Sequence, residues 1–211
     1  MRFEDREDAA RQLAQELKHY KSTDSIVLGI PRGGVPMAYY IAEELDLPLD
    51  VVLAKKLGHP DNPELAIGAI SLEGASISEK YHVSQAYIDS EIERVREELK
   101  RRRKEFTGDG QRIPLKNKHV ILTDDGIATG RTVQATVELL KNAGARKITI
   151  AVPVTSPHAE QMLRREADEF ITLYAPENFR AVGQYYENYE QTSDEEVSDL
   201  LHKAQKKSRN T

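Results

Sequence analysis

The chain has 211 residues, with 30 Lys and Arg against 35 Asp and Glu, and it contains no Cys and no Trp. That length suits one domain with an elaboration better than two full domains. A net charge of -5 sets the overall field against nucleic acid and anionic membranes, so neither is an expected partner, and the lack of Cys excludes disulfides, thiolate metal sites and a cysteine nucleophile.

The first ten residues, MRFEDREDAA, are acidic where a secretory signal needs a basic start, and no apolar run approaches about 18 residues. A cytoplasmic protein is therefore expected, which also suits a chain without Cys. Phe3, Ala10, Leu13, Leu17 and Tyr20 fall on one face of a helix. Ser25 to Ile30 (SIVLGI) reads as a strand ended by Pro31 and the pair Gly33-Gly34, and Val35 to Leu45 reads as a helix. Leu49 to Ala54, Val120 to Thr123, Ile148 to Val154 and Phe170 to Tyr174 repeat the strand signal, with helical segments at Thr132 to Asn142 and Ser156 to Glu166. Near-continuous apolar strands alternating with helices predict an α/β fold with a doubly wound, mostly parallel sheet.

Between the second and third strands lie about sixty residues, too many for a simple connection in a compact domain. This insertion, residues 57–110, begins with the turn-rich HPDNP and the run LAIGAISL. It ends in a helix whose stripe is Ile88, Ile92, Val95, Leu99 and Phe106. Gly58, Pro60, Asn62 and Pro63 predict irregular structure near its start, and residues 58–80 read as a mobile lid. His59, Asp61, Glu64 and Lys80 are the lid's titratable residues, with His59 and Glu64 favoured for handling a proton. KRRRKEF, residues 100–106, follows several acids on the same helix and reads as a solvated helix end. The tail from His202 reads as frayed, and the six His lack the spacing of a metal site.

The most informative segment is VILTDDGIATGRT, residues 120–132: a strand, two acids at its carboxyl end, a small-residue loop and a helix start. Backbone N–H groups in such a loop can close around a phosphate, and the helix adds its partly positive N-terminus. Thr129 and Thr132 can donate to the same oxygens. Asp124 and Asp125 cannot bind that phosphate, so they suit a sugar diol or Mg²⁺. A phosphate beside a diol describes a ribose 5-phosphate. IPRGGVP, residues 30–36, places Arg32 beside two glycines, so the backbone can approach an anion while the guanidinium grips it. Lys55 and Lys56 end the second strand and emerge at the same carboxyl edge, where open α/β sheets bind ligands.

The 120–132 segment resembles the signature of the type I phosphoribosyltransferases, and the likeness covers about residues 22–190, closest to a bacterial group described as predicted phosphoribosyltransferases. The resemblance implies an enzyme that transfers ribose 5-phosphate from 5-phosphoribosyl 1-diphosphate (PRPP) to a nucleobase-like acceptor, with Mg²⁺ as cofactor and pyrophosphate as leaving group. It gives Asp124 and Asp125 the ribose hydroxyls, and the metal through water. Gly126, Ile127, Ala128, Thr129, Gly130, Arg131 and Thr132 would hold the 5-phosphate, and Arg32, Gly33 and Gly34, with Lys55 or Lys56, the pyrophosphate. A strained non-proline cis bond is expected at Arg32-Gly33. LAIGAISL resembles the antiparallel edge strand that the family adds to its sheet. Residues 176–200 would form a small hood over the base, with Phe179, Val182 and Tyr185 as base-binding candidates. The family commonly forms dimers, which leaves room for a homodimer.

Enzymes for 6-oxopurines usually carry an acid at the position of Ala128. Its absence weakens hypoxanthine and guanine as acceptors and leaves adenine, orotate, uracil or another base open. The rival reading is a non-catalytic PRPP or nucleotide sensor of the same fold. Such regulators need a basic surface or an added nucleic-acid-binding extension, and a chain at net -5 shows neither.

Overall fold

A computed structural model describes residues 1–78 and 82–208 of the chain. Five apolar runs form one parallel sheet: β1 (Ser25–Gly29), β2 (Leu49–Val51), β6 (His119–Thr123), β7 (Lys147–Val154) and β8 (Glu169–Tyr174), in the order β2-β1-β6-β7-β8. Alternate strand residues feed two cores, which is why the runs read as continuously apolar. Val27, Ile121 and Ala151 belong to the core shared with α1 (Arg6–Glu16), α2 (Gly34–Leu45) and α6 (Asp194–Ser208). Ile26, Leu28, Val120, Leu122, Ile148 and Ile150 belong to the other core, with α4 (Arg131–Asn142) and α5 (Pro157–Leu163). The expected stripe Phe3, Ala10, Leu13, Leu17 and Tyr20 is buried throughout.

The strand order fixes where a ligand can sit. From β1 the chain crosses to β2 by α2 on one face, and from β6 it crosses to β7 by α4 on the other. The loops leaving β1 and β6 diverge between adjacent strands, which makes the switch-point crevice of a doubly wound sheet. They leave it very close together. A Cβ on Gly34 would stand 2.6 Å from the Thr123 carbonyl oxygen and 3.0 Å from Asp124 Cα. Only glycine allows the start of α2 to lie against the end of β6.

The insertion departs from the sequence-based expectation in three ways. The run expected as one strand over 49–54 divides, with β2 ending at Val51 and Ala54 opening β3 (Ala54–His59) in a different sheet. LAIGAISL is not an edge of the main sheet. It lies in β4 (Asn62–Ser71), the middle of a separate antiparallel sheet ordered β3-β4-β5, with β5 at Ala75–Ile77. HPDNP is not irregular either: His59 pairs with Asn62 across a tight hairpin, and bulges at Gly58 absorb the register shift. Lys80 lies outside the described residues. Of the expected stripe, the long helix α3 (Gln85–Thr107) buries Val95, Leu99 and Phe106, while Ile88 and Ile92 nearer its start are only half-buried.

Two charged segments also read differently in three dimensions. Within KRRRKEF, Arg103 is buried and donates to both oxygens of Asp50 on β2, at 2.8 and 3.0 Å. This bidentate pair fixes the insertion's helix to the sheet edge, and losing one partner would leave a buried charge uncompensated. The tail from His202 is not frayed along its length, because α6 continues to Ser208 and Ala204 packs on the core.

At the amino edge of the sheet, opposite the switch-point loops, a polar network runs from buried Ser25, His119, Thr149 and Tyr20 out to half-buried Lys147 and Glu169. His119 Nδ1 lies 2.9 Å from Ser25 Oγ, and its Nε2 lies 2.9 Å from Thr149 Oγ1. Lys147 Nζ donates to Tyr20 and to Glu169, and Tyr20 also donates to Glu169. Burial, reinforced by the Lys147 charge, pulls the His119 imidazole down to about 4 from its ordinary 6.5.

Two outcomes are expected. Gly34→Ala should cost about 1–3 kcal/mol in denaturant unfolding through forced overpacking. Gly74→Ala, whose added Cβ meets nothing within 4 Å, should stay within about 0.5 kcal/mol of the parent. Equal stability of the two would contradict the close approach. The folded chain keeps His119 neutral while the unfolded chain takes up a proton below pH 6.5, so His119 withdraws stability as pH falls from 6.5 towards about 4. The unfolding free energy of the parent minus that of His119→Gln should therefore fall across that window, and a constant difference would count against the burial of a neutral imidazole.

Candidate functional site

The crevice is built by three stretches of chain. The loop after β1 carries Arg32, Gly33 and Gly34, and a non-proline cis peptide bond joins Pro31 to Arg32, one position before the bond expected from sequence. The loop after β6 carries the two acids and runs on to α4. The third stretch follows β8 and includes a 3-10 turn over Val182–Tyr185.

The loop from Gly126 to Thr132 is shaped from below. Ile127 N–H donates to the Val154 carbonyl and Ser156 N–H to the Ile127 carbonyl, while Ser156 Oγ, the N-cap of α5, donates to Ala128 O at 2.6 Å. Gly130 has φ +76°, a left-handed conformation, and caps α4. Ala128, Thr129, Arg131 and Thr132 are exposed. The first turn of α4 leaves its N–H groups without intrahelical partners, so this loop offers backbone donors, two hydroxyls and a positive helix end to an anion.

The acid pair is divided between two tasks. Asp125 is buried, and a single oxygen, Oδ2, accepts from Arg6 Nε at 3.0 Å, Arg6 Nη2 at 2.8 Å and Tyr189 Oη at 3.0 Å. Its backbone carbonyl accepts from Tyr186 Oη at 2.6 Å. Arg6 lies over the Tyr189 ring, 4.4 Å from the centroid, and Tyr189 stacks on Tyr186. Burial works against the Arg6 charge, but Asp125 more than offsets this and holds the guanidinium above its ordinary value. Burial and the Asp125 carboxylate push the Tyr189 phenol up to about 12, so it stays a donor. Asp124 is half-buried; burial, with the Asp125 charge beside it, raises its carboxyl well above the usual range. Its Oδ1 accepts the Asp125 N–H at 2.9 Å.

Gly33 and Gly34 serve this pair directly. A Cβ on Gly33 would overlap the Asp125 carboxylate, and one on Gly34 would come 3.2 Å from Asp124 Oδ1. The loop after β1 and the acids therefore form one surface.

The remaining sequence candidates are dispersed. Lys55 donates to both oxygens of Glu98 at 2.7 Å, and Lys56 pairs with Glu64 at 3.0 Å. Both lysines lie on β3 and neither bonds to the acid pair. His59 sits at the hairpin turn, where its Nδ1 accepts the Asp61 N–H at 3.2 Å. Val182 does reach the site: Gly126 has no Cβ because one would stand 2.6 Å from Val182 Cγ1. Phe179 stacks on Tyr185 at 5.6 Å, with Tyr174 edge-on to Tyr185. Sequence reading missed Arg6, Tyr186 and Tyr189. Arg6 stands among acids at a helix start and looks solvated, and only the aromatic density of YYENY marks the other two.

No group of three or more His, Cys, Asp or Glu among the described residues is placed to hold a metal ion, and no described helix is long and apolar enough to cross a membrane.

The sequence profile described as phosphoribosyl transferase domain matches residues 3–190. A Mycobacterium tuberculosis (strain H37Rv) protein named "Putative phosphoribosyl transferase" is 42% identical over 207 residues, covering 96% of this chain and 47% of its own length. The chain thus spans about half the length of that relative. The bifunctional protein PyrR of Ligilactobacillus salivarius is 27% identical over 185 residues, covering 79% of this chain and 84% of that protein. The crystal structure of TT1426 from Thermus thermophilus superposes with a TM-score of 0.86 at 36% identity, covering 96% of this chain and 99% of that one. With the acid pair, the small-residue loop and the switch-point crevice in place, the profile match over most of its length shows that this chain belongs to the phosphoribosyl transferase family.

Proposed function

We propose that this chain transfers ribose 5-phosphate from PRPP to a nucleobase-like acceptor with release of pyrophosphate. The observation that carries the reading is the meeting of two anion-ready loops on either side of a carboxylate at one switch point. The Gly126–Thr132 loop suits the 5-phosphate. Arg32, Gly33 and Gly34 suit the pyrophosphate, and Lys55 and Lys56 could join them only by giving up their half-exposed ion pairs, which is inexpensive. Asp124 suits the ribose hydroxyls, because it commits only Oδ1, to the Asp125 N–H, while Asp125 has Oδ2 committed to Arg6 and Tyr189 and only Oδ1 left.

In this reading the bond from ribose C1 to pyrophosphate breaks and a bond from C1 to an acceptor nitrogen forms, through a cation-like centre. Fixed loop dipoles stabilise that centre without a covalent protein intermediate, joined by Asp124, whose raised carboxyl ionises as positive charge develops beside it. Magnesium, when bound, neutralises charge on the departing pyrophosphate. The donor set fits an ion held mostly by substrate oxygens and water, with Asp124 as the available protein carboxylate. Val182, over the start of the phosphate loop, and the Phe179–Tyr185 stack are assigned to the acceptor's ring. Closure over the centre is assigned to the β3–β4 hairpin that carries His59 and Glu64, now as an ordered hairpin.

The similarity to PyrR favours one second reading, a PRPP- or nucleotide-sensing regulator. The same experiment separates the two. Incubation with Mg²⁺, PRPP and a panel of nucleobases should release pyrophosphate with at least one base, and Asp124→Asn should reduce that release by about a hundredfold or more. PRPP binding without turnover on any base would move the assignment to the sensor, and no PRPP binding would end both readings.

A further inference from the structure

The hood that the proposed function sets over the acceptor takes its backbone support from the N-terminus. Between β8 and α6 the chain is irregular apart from the 3-10 turn at Val182–Tyr185. Phe3 N–H donates to the Tyr185 carbonyl at 2.7 Å, Glu187 N–H to the Phe3 carbonyl at 2.8 Å and Asn188 N–H to the Glu4 carbonyl at 2.9 Å. Tyr185 is also the residue whose ring stacks on Phe179, the pair assigned to the acceptor's ring.

Arg6 carries this clasp into the site. Its Nε and Nη2 donate to Asp125 Oδ2, at 3.0 and 2.8 Å, and its Nη1 donates to the Glu190 carbonyl at 2.8 Å. One planar guanidinium thus bridges the loop after β6 to the hood at Glu190, and it lies over the ring of Tyr189. Helix stability would not choose this place for a cation. Arg6 is the first residue of α1, where Asp5 caps the helix and Glu7 and Asp8 follow the usual preference for acids, and a positive charge there opposes the helix dipole. Its side chain is only 14% exposed, so the charge is also largely desolvated. A lysine would supply the charge that Asp125 needs, but its ammonium is a compact point on a flexible stem, whereas a guanidinium holds its acceptors in a fixed planar fork.

We propose that Arg6 is a positioning residue for the acceptor: by gripping Asp125 and the Glu190 carbonyl together it fixes the hood relative to the acid pair, so that a ring on the hood lines up with a ribose on Asp124. The proposal rests on the function proposed above for the placing of those two halves of the ligand. It gives the N-terminal helix a part in acceptor binding without any contact with the acceptor.

Two kinds of probe separate the halves. Ribose 5-phosphate occupies the sugar side alone, whereas a nucleoside 5′-monophosphate carries a base as well and spans both. Ribose 5-phosphate, AMP, GMP, CMP and UMP are titrated by calorimetry into the intact parent, Arg6→Lys and Arg6→Gln, with thermal unfolding recorded for each. Arg6→Gln leaves Asp125 uncompensated and should lower Tm, so Arg6→Lys, which keeps the charge, is the decisive variant. In Arg6→Lys, Tm should stay close to the parent's and ribose 5-phosphate affinity within about twofold, while the monophosphate that the parent binds most tightly should bind about tenfold more weakly, the worth of one charge-assisted hydrogen bond. Equal losses for ribose 5-phosphate and the monophosphate, or full monophosphate affinity in Arg6→Lys, would overturn the positioning role and leave Arg6 as a counter-charge to Asp125. A parent that binds no monophosphate more tightly than ribose 5-phosphate would overturn it too, since the hood would then hold no ring, while the ribose 5-phosphate site would stand. A parent that binds none of the five probes ends the phosphoribosyl reading and the positioning role with it.

Discussion

One carboxylate oxygen, Asp125 Oδ2, is where the molecule is tied together. It receives three donors from two distant parts of the chain, Arg6 at the start of α1 and Tyr189 near the end of the irregular segment after β8. Those parts are already laced by backbone bonds: Phe3 N–H to the Tyr185 carbonyl at 2.7 Å, and Glu187 N–H to the Phe3 carbonyl at 2.8 Å. Low local dielectric strengthens such a network and makes each missing member costly. The loop after β1 closes the arrangement from a third side, which it can do only because residue 33 has no side chain.

This constraint assigns different work to two neighbouring acids. Asp125 commits Oδ2 to a guanidinium and a phenol and keeps only Oδ1, whereas Asp124 commits Oδ1 only to its neighbour's N–H. In the proposed function the paired acids are thus one ligand-facing group, Asp124, and one chiefly architectural group, Asp125. The architectural member ties the loop after β6 to α1 and to the segment after β8, and its carboxylate limits how closely the loop after β1 can approach at Gly33. A reaction that moves charge between those loops depends on that spacing.

Much of this was legible in the sequence, for identifiable reasons. The strands of the main sheet show because residues such as Val120 to Leu122 are apolar on both faces, and the strand–acid pair–loop–helix order after β6 shows because its parts lie within thirteen consecutive residues. The hairpin at His59 did not show, since Gly, Pro and Asn mark a tight turn between strands as readily as an irregular loop. Arg103 looked solvated because its partner, Asp50, is 53 residues away. Arg6 is 119 residues from Asp125, and helical periodicity, which found Leu13 and Leu17, carries no information about a charged residue beside that stripe. Lys55 and Lys56 were placed at the sheet's carboxyl edge by continuity of one apolar run that the chain in fact breaks after Val51.

The central claim is that the loop after β6 and Asp124 together form a ribose 5-phosphate site while Asp125 stays bound to Arg6. A crystal structure of the intact chain with ribose 5-phosphate and Mg²⁺ measures this most directly. The phosphate should lie on the backbone N–H groups and hydroxyls between Ala128 and Thr132, with the ribose hydroxyls within hydrogen-bond distance of Asp124 and the Arg6–Asp125 contact preserved. A phosphate bound away from that loop, or sugar hydroxyls that displace Arg6 from Asp125, would contradict it.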